Sequence, residues 1–257
     1  MKIIITCQEC LENHFSKSNV PLSPEGMTYS IQLSDNGTAE YTCQNYHKIF
    51  ITTQFIKYDM LFERAVYAFI DGYYREAIAT IAASLERFYE FYMEIICSKH
   101  GIEKNEFDKN WKEVKKQSER QYGALRFIYL LDNKKNLDTD YLKNWSEFRN
   151  NVIHQGYIAT EIETREHANK ALQHIKTMIK ELNSSENLDV LNQIIGEKKS
   201  KNNEILVAKE KEGYKIYTYG ELTALHPNLC DDITFDEMVK KISETKQWKD
   251  DFKKFIK

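Results

Sequence analysis

Three short stretches of this 257-residue chain carry residue types that do chemistry. Cys7-Gln8-Glu9-Cys10 sets two thiols either side of a two-residue spacer, and Cys43-Gln44-Asn45-Tyr46-His47 sets a thiol and an imidazole either side of three. Zinc takes four such ligands in a tetrahedron, and short spacers let one tight turn present two of them together. The spacing predicts a closed site of Cys7, Cys10, Cys43 and His47, structural because no position is left for a substrate. His14 is a rival fourth ligand, four places past Cys10; His47 is preferred because its pairing with Cys43 mirrors the first pair. The third stretch is Arg149-Asn150-Asn151-Val152-Ile153-His154. A guanidinium clamps phosphate, and an imidazole moves protons near neutral pH. On a regular helix Arg149 and His154 lie about 140° apart, whereas Asn150 and His154 share a face. Gly156 suits the position just past a helix end, which puts His154 in the last turn.

The elements that must hold these residues follow from period and punctuation. Met27 to Leu33 alternates as a strand, Asn36-Gly37 reads as a hairpin turn, Ala39 to Thr42 returns, and Lys48 to Thr52 is one more short strand. Two ligand knuckles joined by a hairpin resemble a zinc ribbon over residues 1–53, and a module of about 50 residues usually needs such a staple to fold. A redox role for the CxxC pair is poorly supported, because no βαβ pattern surrounds it.

From Phe55 onward the period becomes helical. Tyr58, Leu61, Phe62, Ala65 and Phe69 precede Asp71-Gly72; Tyr74, Ile78, Ile81, Leu85, Phe88, Tyr92 and Ile95 precede Gly101. Phe107, Trp111 and Val114 mark a shorter helix, and Ser118-Glu119-Arg120-Gln121 reads as a capping box opening another. Asp138 or Asp140 should cap a helix bearing Tyr141, Trp145, Phe148 and Val152, and Thr160-Glu161-Ile162-Glu163 should open the next. The run Phe88/Tyr89/Phe91/Tyr92 covers more than one helix face and reads as core and interface rather than a ligand box. Residues 54–183 are thus expected to form a helical bundle.

Residues 184–257 read as a third unit: a polar linker at Glu197 to Asn203, a hairpin of Ile205–Ala208 with Tyr214–Tyr219, and a helix opened by Thr234-Phe235-Asp236-Glu237 carrying Met238, Ile242, Trp248 and Phe252. The expected fold class is mainly α: an antiparallel helical bundle with a small N-terminal zinc-binding β module and a small α+β C-terminal extension.

Composition narrows the function. With 42% hydrophobic and 29% charged residues the chain can build a core, and its nine Gly and three Pro favour helices. No run reaches the ~20 apolar residues of a membrane span, and Met1 to Thr6 is too short for a secretory signal, so a cytoplasmic protein without a membrane partner is expected. Five cysteines, unevenly spaced, suit a metal better than a disulfide framework, with Cys97 and Cys230 standing alone. A net charge of −3, with residues 51–183 balanced at 20 against 20, excludes a broadly basic nucleic-acid coat. Contacts to nucleic acid would have to be few and local.

The Arg149-Asn150-Asn151-Val152-Ile153-His154 motif, near the end of a bundle helix and followed by Gln155-Gly156, resembles the mark of the HEPN family (higher eukaryotes and prokaryotes nucleotide-binding). The order of two long helices, an insert, the motif helix and a closing helix is also similar to that family, over residues 54–183. The resemblance implies a homodimeric, metal-independent endoribonuclease whose two motifs meet across the interface, in a toxin–antitoxin or phage-defence setting. It implies that His154 activates the ribose 2′-hydroxyl or protonates the leaving 5′-oxygen. Arg149 would hold the scissile phosphate and Asn150 would orient either. The products would carry 2′,3′-cyclic phosphate and 5′-hydroxyl ends, the substrate would be RNA such as tRNA, and a protein partner would inhibit or activate the enzyme. A different reading is a non-catalytic RNA- or protein-binding dimer, with Arg149 in a salt bridge to Glu86 or Glu147 and His154 closing a helix. A zinc-dependent hydrolase is disfavoured because all four ligands are consumed.

Overall fold

A computed structural model describes residues 2–17, 28–53, 56–139, 144–184, 186–219, 225–227 and 232–253. The chain is mainly helical, with small sheets, and divides into two compact units. One comprises Met1–Phe55, Gly196–Glu221 and Ser243–Lys257; the other comprises Ile56–Ile195 and Leu222–Ile242. Residues 184–257 are therefore shared between the two units and do not form the separate extension that the sequence suggested. Asp140, Tyr141, Met27 and Cys230, and the side chains of Trp248 and Phe252, lie outside the described residues.

In the first unit β1 (Lys2–Thr6) leads into α1 (Gln8–Lys17) and pairs antiparallel with β2 (Thr28–Gln32). β3 (Thr38–Thr42) and β4 (Lys48–Thr53) form an antiparallel hairpin in register Thr38↔Thr52 to Thr42↔Lys48. The expected pairing of the 27–33 strand with its successor is absent, because each takes a different partner. The turn between them is present: Gly37 has φ +74, and a Cβ there would collide with the Thr53 hydroxyl, so only glycine fits. β4, Lys-Ile-Phe-Ile-Thr-Thr, is buried after its first residue. A strand flanked on both edges has few exposed positions, and its second neighbour is β5 (Lys215–Tyr219), which pairs parallel to it from Ile49↔Lys215 to Thr53↔Tyr219.

That parallel pairing replaces the expected C-terminal hairpin. Ile205 to Ala208, and the linker before them, belong to α8 (Leu188–Lys211). A four-residue apolar run has no period of its own to decide its structure, and here Lys and Glu flank it, both good helix formers. Ile205 and Val207 are accordingly exposed. Glu40 on β3 secures the end of this helix, pairing with Lys209 (2.9 Å) and accepting a hydrogen bond from Tyr214 (2.9 Å).

The second unit is built on α2 (Lys57–Ile70) and α3 (Tyr74–Lys99). Gly72, at φ +77, lets the Tyr73 N–H reach back to Ala68 C=O (2.8 Å), so α2 stops and α3 returns along it. α3 also packs against α4 (Lys104–Val114), α5 (Ser118–Asn133), α6 (Trp145–His154) and α7 (Glu161–Leu182). Phe88, Tyr89, Phe91 and Tyr92 are all buried within this chain, so the aromatic run is core. Tyr58 sits edge-on to Phe88 with ring centroids 5.1 Å apart and donates its hydroxyl proton to the Leu225 carbonyl (2.8 Å). The Thr160/Glu163 capping box opens α7, and the Thr234/Glu237 box opens α9 (Phe235–Lys253). The box expected at Ser118 is absent: Gln117 is the capping position, and Gln121 donates to Lys115 C=O instead. No helix among the described residues is long and apolar enough to cross a membrane.

Candidate functional site

Cys7 lies between β1 and α1, Cys10 lies in the first turn of α1, and Cys43 and His47 bracket the tip of the β3–β4 hairpin. The first pair therefore sits at a strand-to-helix junction, not in a second hairpin as in a ribbon. The hairpin tip is locked by the Cys43 N–H to His47 C=O bond (3.0 Å), with Tyr46 in the left-handed region at φ 64. All four ligand atoms lie within 4.8 Å of one another. Cys10 Sγ is 3.3 Å from His47 Nδ1 and 3.7 Å from Cys43 Sγ, and Cys7 Sγ is 3.5 Å from His47 Nδ1. A tetrahedron with bonds of about 2.3 Å to sulfur and 2.0 Å to nitrogen has edges of roughly 3.5–3.8 Å, so these separations fit a single cation. His14 is outside the group.

The electrostatics point the same way. Burial, with the neighbouring Cys10 and Cys43, pushes the Cys7 thiol up to about 12 although the Cys10 backbone N–H opposes it. For Cys43 burial also acts upward, but backbone N–H groups of His47 and Asn45 and the thiols of Cys10 and Cys7 outweigh it and bring the thiol down. The Asn45 amide donates to Cys10 Sγ (3.3 Å). These donors stabilise thiolate, and a cation would balance the charge that burial otherwise disfavours. Cys7, Cys10, Cys43 and His47 can hold a metal ion, with the three cysteines buried and His47 half-buried.

The Arg/His motif lies on α6. Trp145 and Val152 are buried, Phe148 stacks on His167 of α7 with centroids 3.9 Å apart, and this apolar face fixes the helix against its neighbours. Arg149 Nη1 donates to Asn150 Oδ1 (2.7 Å), and Arg149 Nη2 is 3.3 Å from Glu86 Oε1 on α3. Of the two partners offered by sequence, Glu86 is thus the one found. His154 is the last residue of α6 and exposed, and among the described residues its side chain makes no hydrogen bond or ion pair. Arg149 and Asn150 are brought together; Arg149 and His154 face apart, as five residues of helix require.

Beside Arg149 is a cavity of about 440 Å³ that sequence reasoning did not anticipate. Its walls come from α3, α5 and α6, including Glu86, Tyr89, Tyr122, Arg126 and Trp145. Burial raises the Tyr122 phenol above its usual range, opposed by a hydrogen bond with Thr139. The one advance signal was Gly123, a glycine inside a helical pattern.

No family model, curated protein or solved structure matches this chain.

Proposed function

We propose that this protein is a metal-independent endoribonuclease of the HEPN type, an antiparallel helical bundle acting as a cytoplasmic homodimer. In this reading the Cys7/Cys10/Cys43/His47 group holds structural Zn²⁺, which takes no part in the chemistry. The observation that carries the reading is the pairing, on one short helix, of a phosphate-matching Arg149 bonded to Asn150 with an exposed, unpartnered His154. His154 removes the 2′-hydroxyl proton or delivers one to the leaving 5′-oxygen. Arg149 clamps the phosphate as negative charge accumulates on its oxygens. Because the two side chains of one copy face apart, a complete site takes Arg149 from one protomer and His154 from its partner. Exposed Tyr157, Ile158 and Ile162, just past the motif, suit that contact. RNA, including structured RNA such as tRNA, is the substrate, toxin or phage-defence activity the setting, and a protein partner the restraint.

A non-catalytic RNA- or protein-binding dimer is the second reading, favoured by the Glu86 ion pair, which leaves the Arg149 side chain only 18% exposed. Magnesium-free cleavage assays on RNA separate the two. The nuclease should give cyclic-phosphate ends, and both Arg149→Ala and His154→Ala should abolish cutting while the dimer persists. Cleavage that survives both substitutions would sink the nuclease reading of these residues.

A further inference from the structure

α5 turns one face inward and leaves the opposite one bare. Leu125 and Tyr129 are buried against the bundle, while Phe127, Leu130 and Leu131 on the far side are 76%, 41% and 57% exposed. Single apolar side chains on a surface are ordinary; three that share a helix face at spacings of three and four make a contiguous patch. Gly123 and Ala124 lie one turn earlier on that face. Glycine is a poor residue inside a helix, its φ here is not positive, and a Cβ would meet nothing within 4 Å, so the packing of this chain does not ask for it. Close approach by another backbone does.

Charge decides what can lie there. Arg120, two turns before Phe127, and Lys134, which ends the helix, close the patch at either end. Both are exposed, and among the described residues neither forms an ion pair. Along one border the exposed Glu119 and Arg126 offset each other, and Asp132 turns inward to Lys99 (2.8 Å). The patch is therefore apolar at its centre and positive at both ends. A second copy of this chain fits it badly, because two α5 helices crossed antiparallel at Phe127 would set Arg120 of each against Lys134 of the other. An anionic membrane is also a poor match, since lipid-binding surfaces gather about four to eight cations and this face presents fewer.

We propose that this face docks an acidic amphipathic helix of another protein. The helix lays apolar side chains at three-and-four spacing over Phe127, Leu130 and Leu131, brings its backbone close to Gly123, and sets carboxylates on Arg120 and Lys134. None of these residues takes part in the proposed cleavage, so the face stands or falls apart from it.

Selection from a displayed library of helical peptides tests the assignment, with the full chain as bait. The library keeps one apolar stripe and randomises the positions beside it between Glu, Lys and Gln. Peptides retained by the parent and not by Phe127→Ala should carry Glu at the ends of the stripe. In fluorescence anisotropy a retained peptide should bind Phe127→Ala about tenfold or more weakly than the parent. The double reversal Arg120→Glu with Lys134→Glu should weaken it about fivefold and turn the preference to Lys-bearing peptides. All three positions are exposed, and circular dichroism checks that the variants keep their helices. Peptides that do not prefer the parent to Phe127→Ala, or that carry no excess of Glu, overturn the proposal. So does a sedimentation mass that falls in Phe127→Ala, which assigns the face to a second copy. Binding to phosphatidylserine vesicles that the same substitution removes also overturns it, assigning the face to a membrane.

Discussion

The two units reach a buried interior by different means. Among the described residues the cluster that fills the first has ten members, three of which are the cysteines of the metal group. The second buries Tyr58, Phe62, Phe88 and Tyr92 alongside a large aliphatic set. A small unit buries too little apolar surface to offset the ordering of its backbone, so cross-links stand in for core. The lesson is that the two should fail independently and for different reasons.

Removing the metal is the hardest test of that contrast. Cys43→Ser, or strong chelation, should drop bound metal from one ion per chain to none. Residues 28–53 should then lose hydrogen-exchange protection while 74–99 keep theirs, since structural metal binding supplies folding energy on the order of 10 kcal/mol. Loss of protection in both would erase the distinction. The reciprocal change, Phe88→Ala, should cost about 3–5 kcal/mol in denaturant melts of the helices with metal content unchanged.

Acid should act on the helical unit through His174. Burial holds this imidazole down to about 3, far below its ordinary value of 6.5. The unfolded chain therefore takes up a proton that the fold refuses. The contribution is complete above pH 6.5 and lost progressively as pH falls toward 3, amounting to about 2–3 kcal/mol by pH 4.5. His174→Leu should flatten the stability profile between pH 6.5 and 4.5 relative to the parent; an identical slope would remove His174 as the cause. A smaller effect, about 1 kcal/mol, is expected for Thr160→Ala, which deletes one half of the α7 capping box. Thermal melts that match the parent would show the cap to be redundant.

The helices from α2 to α7 were readable because their signals are local, whereas α1 and α8 were not read as helices. Gly72 and Gly101 stop helices by their own left-handed conformations, and Thr160 and Glu163 meet within one turn. The metal group was readable for the same reason, since each ligand pair lies within five residues. What the sequence hid was pairing at a distance. Nothing near Lys215–Tyr219 names β4 as its partner, and a short apolar run such as Ile205–Ala208 fits strand or helix equally until its neighbours decide. The cavity was hidden too, because it is a gap left by three helices that meet only in the folded chain.

The β4–β5 ladder also sets a timetable. Ile49 and its partner Lys215 leave the ribosome about 165 residues apart, on the order of 10–30 s at ordinary elongation rates. Cys7, Cys10, Cys43 and His47 are all out before that interval begins, and the whole of α2 to α7 emerges within it. An ion held by this group would thus be captured by a nascent chain whose sheet still lacks its last strand, while the helical unit folds in the meantime. A translation-arrested chain halted before residue 215 should already carry one metal ion, with its β4 edge still open to solvent.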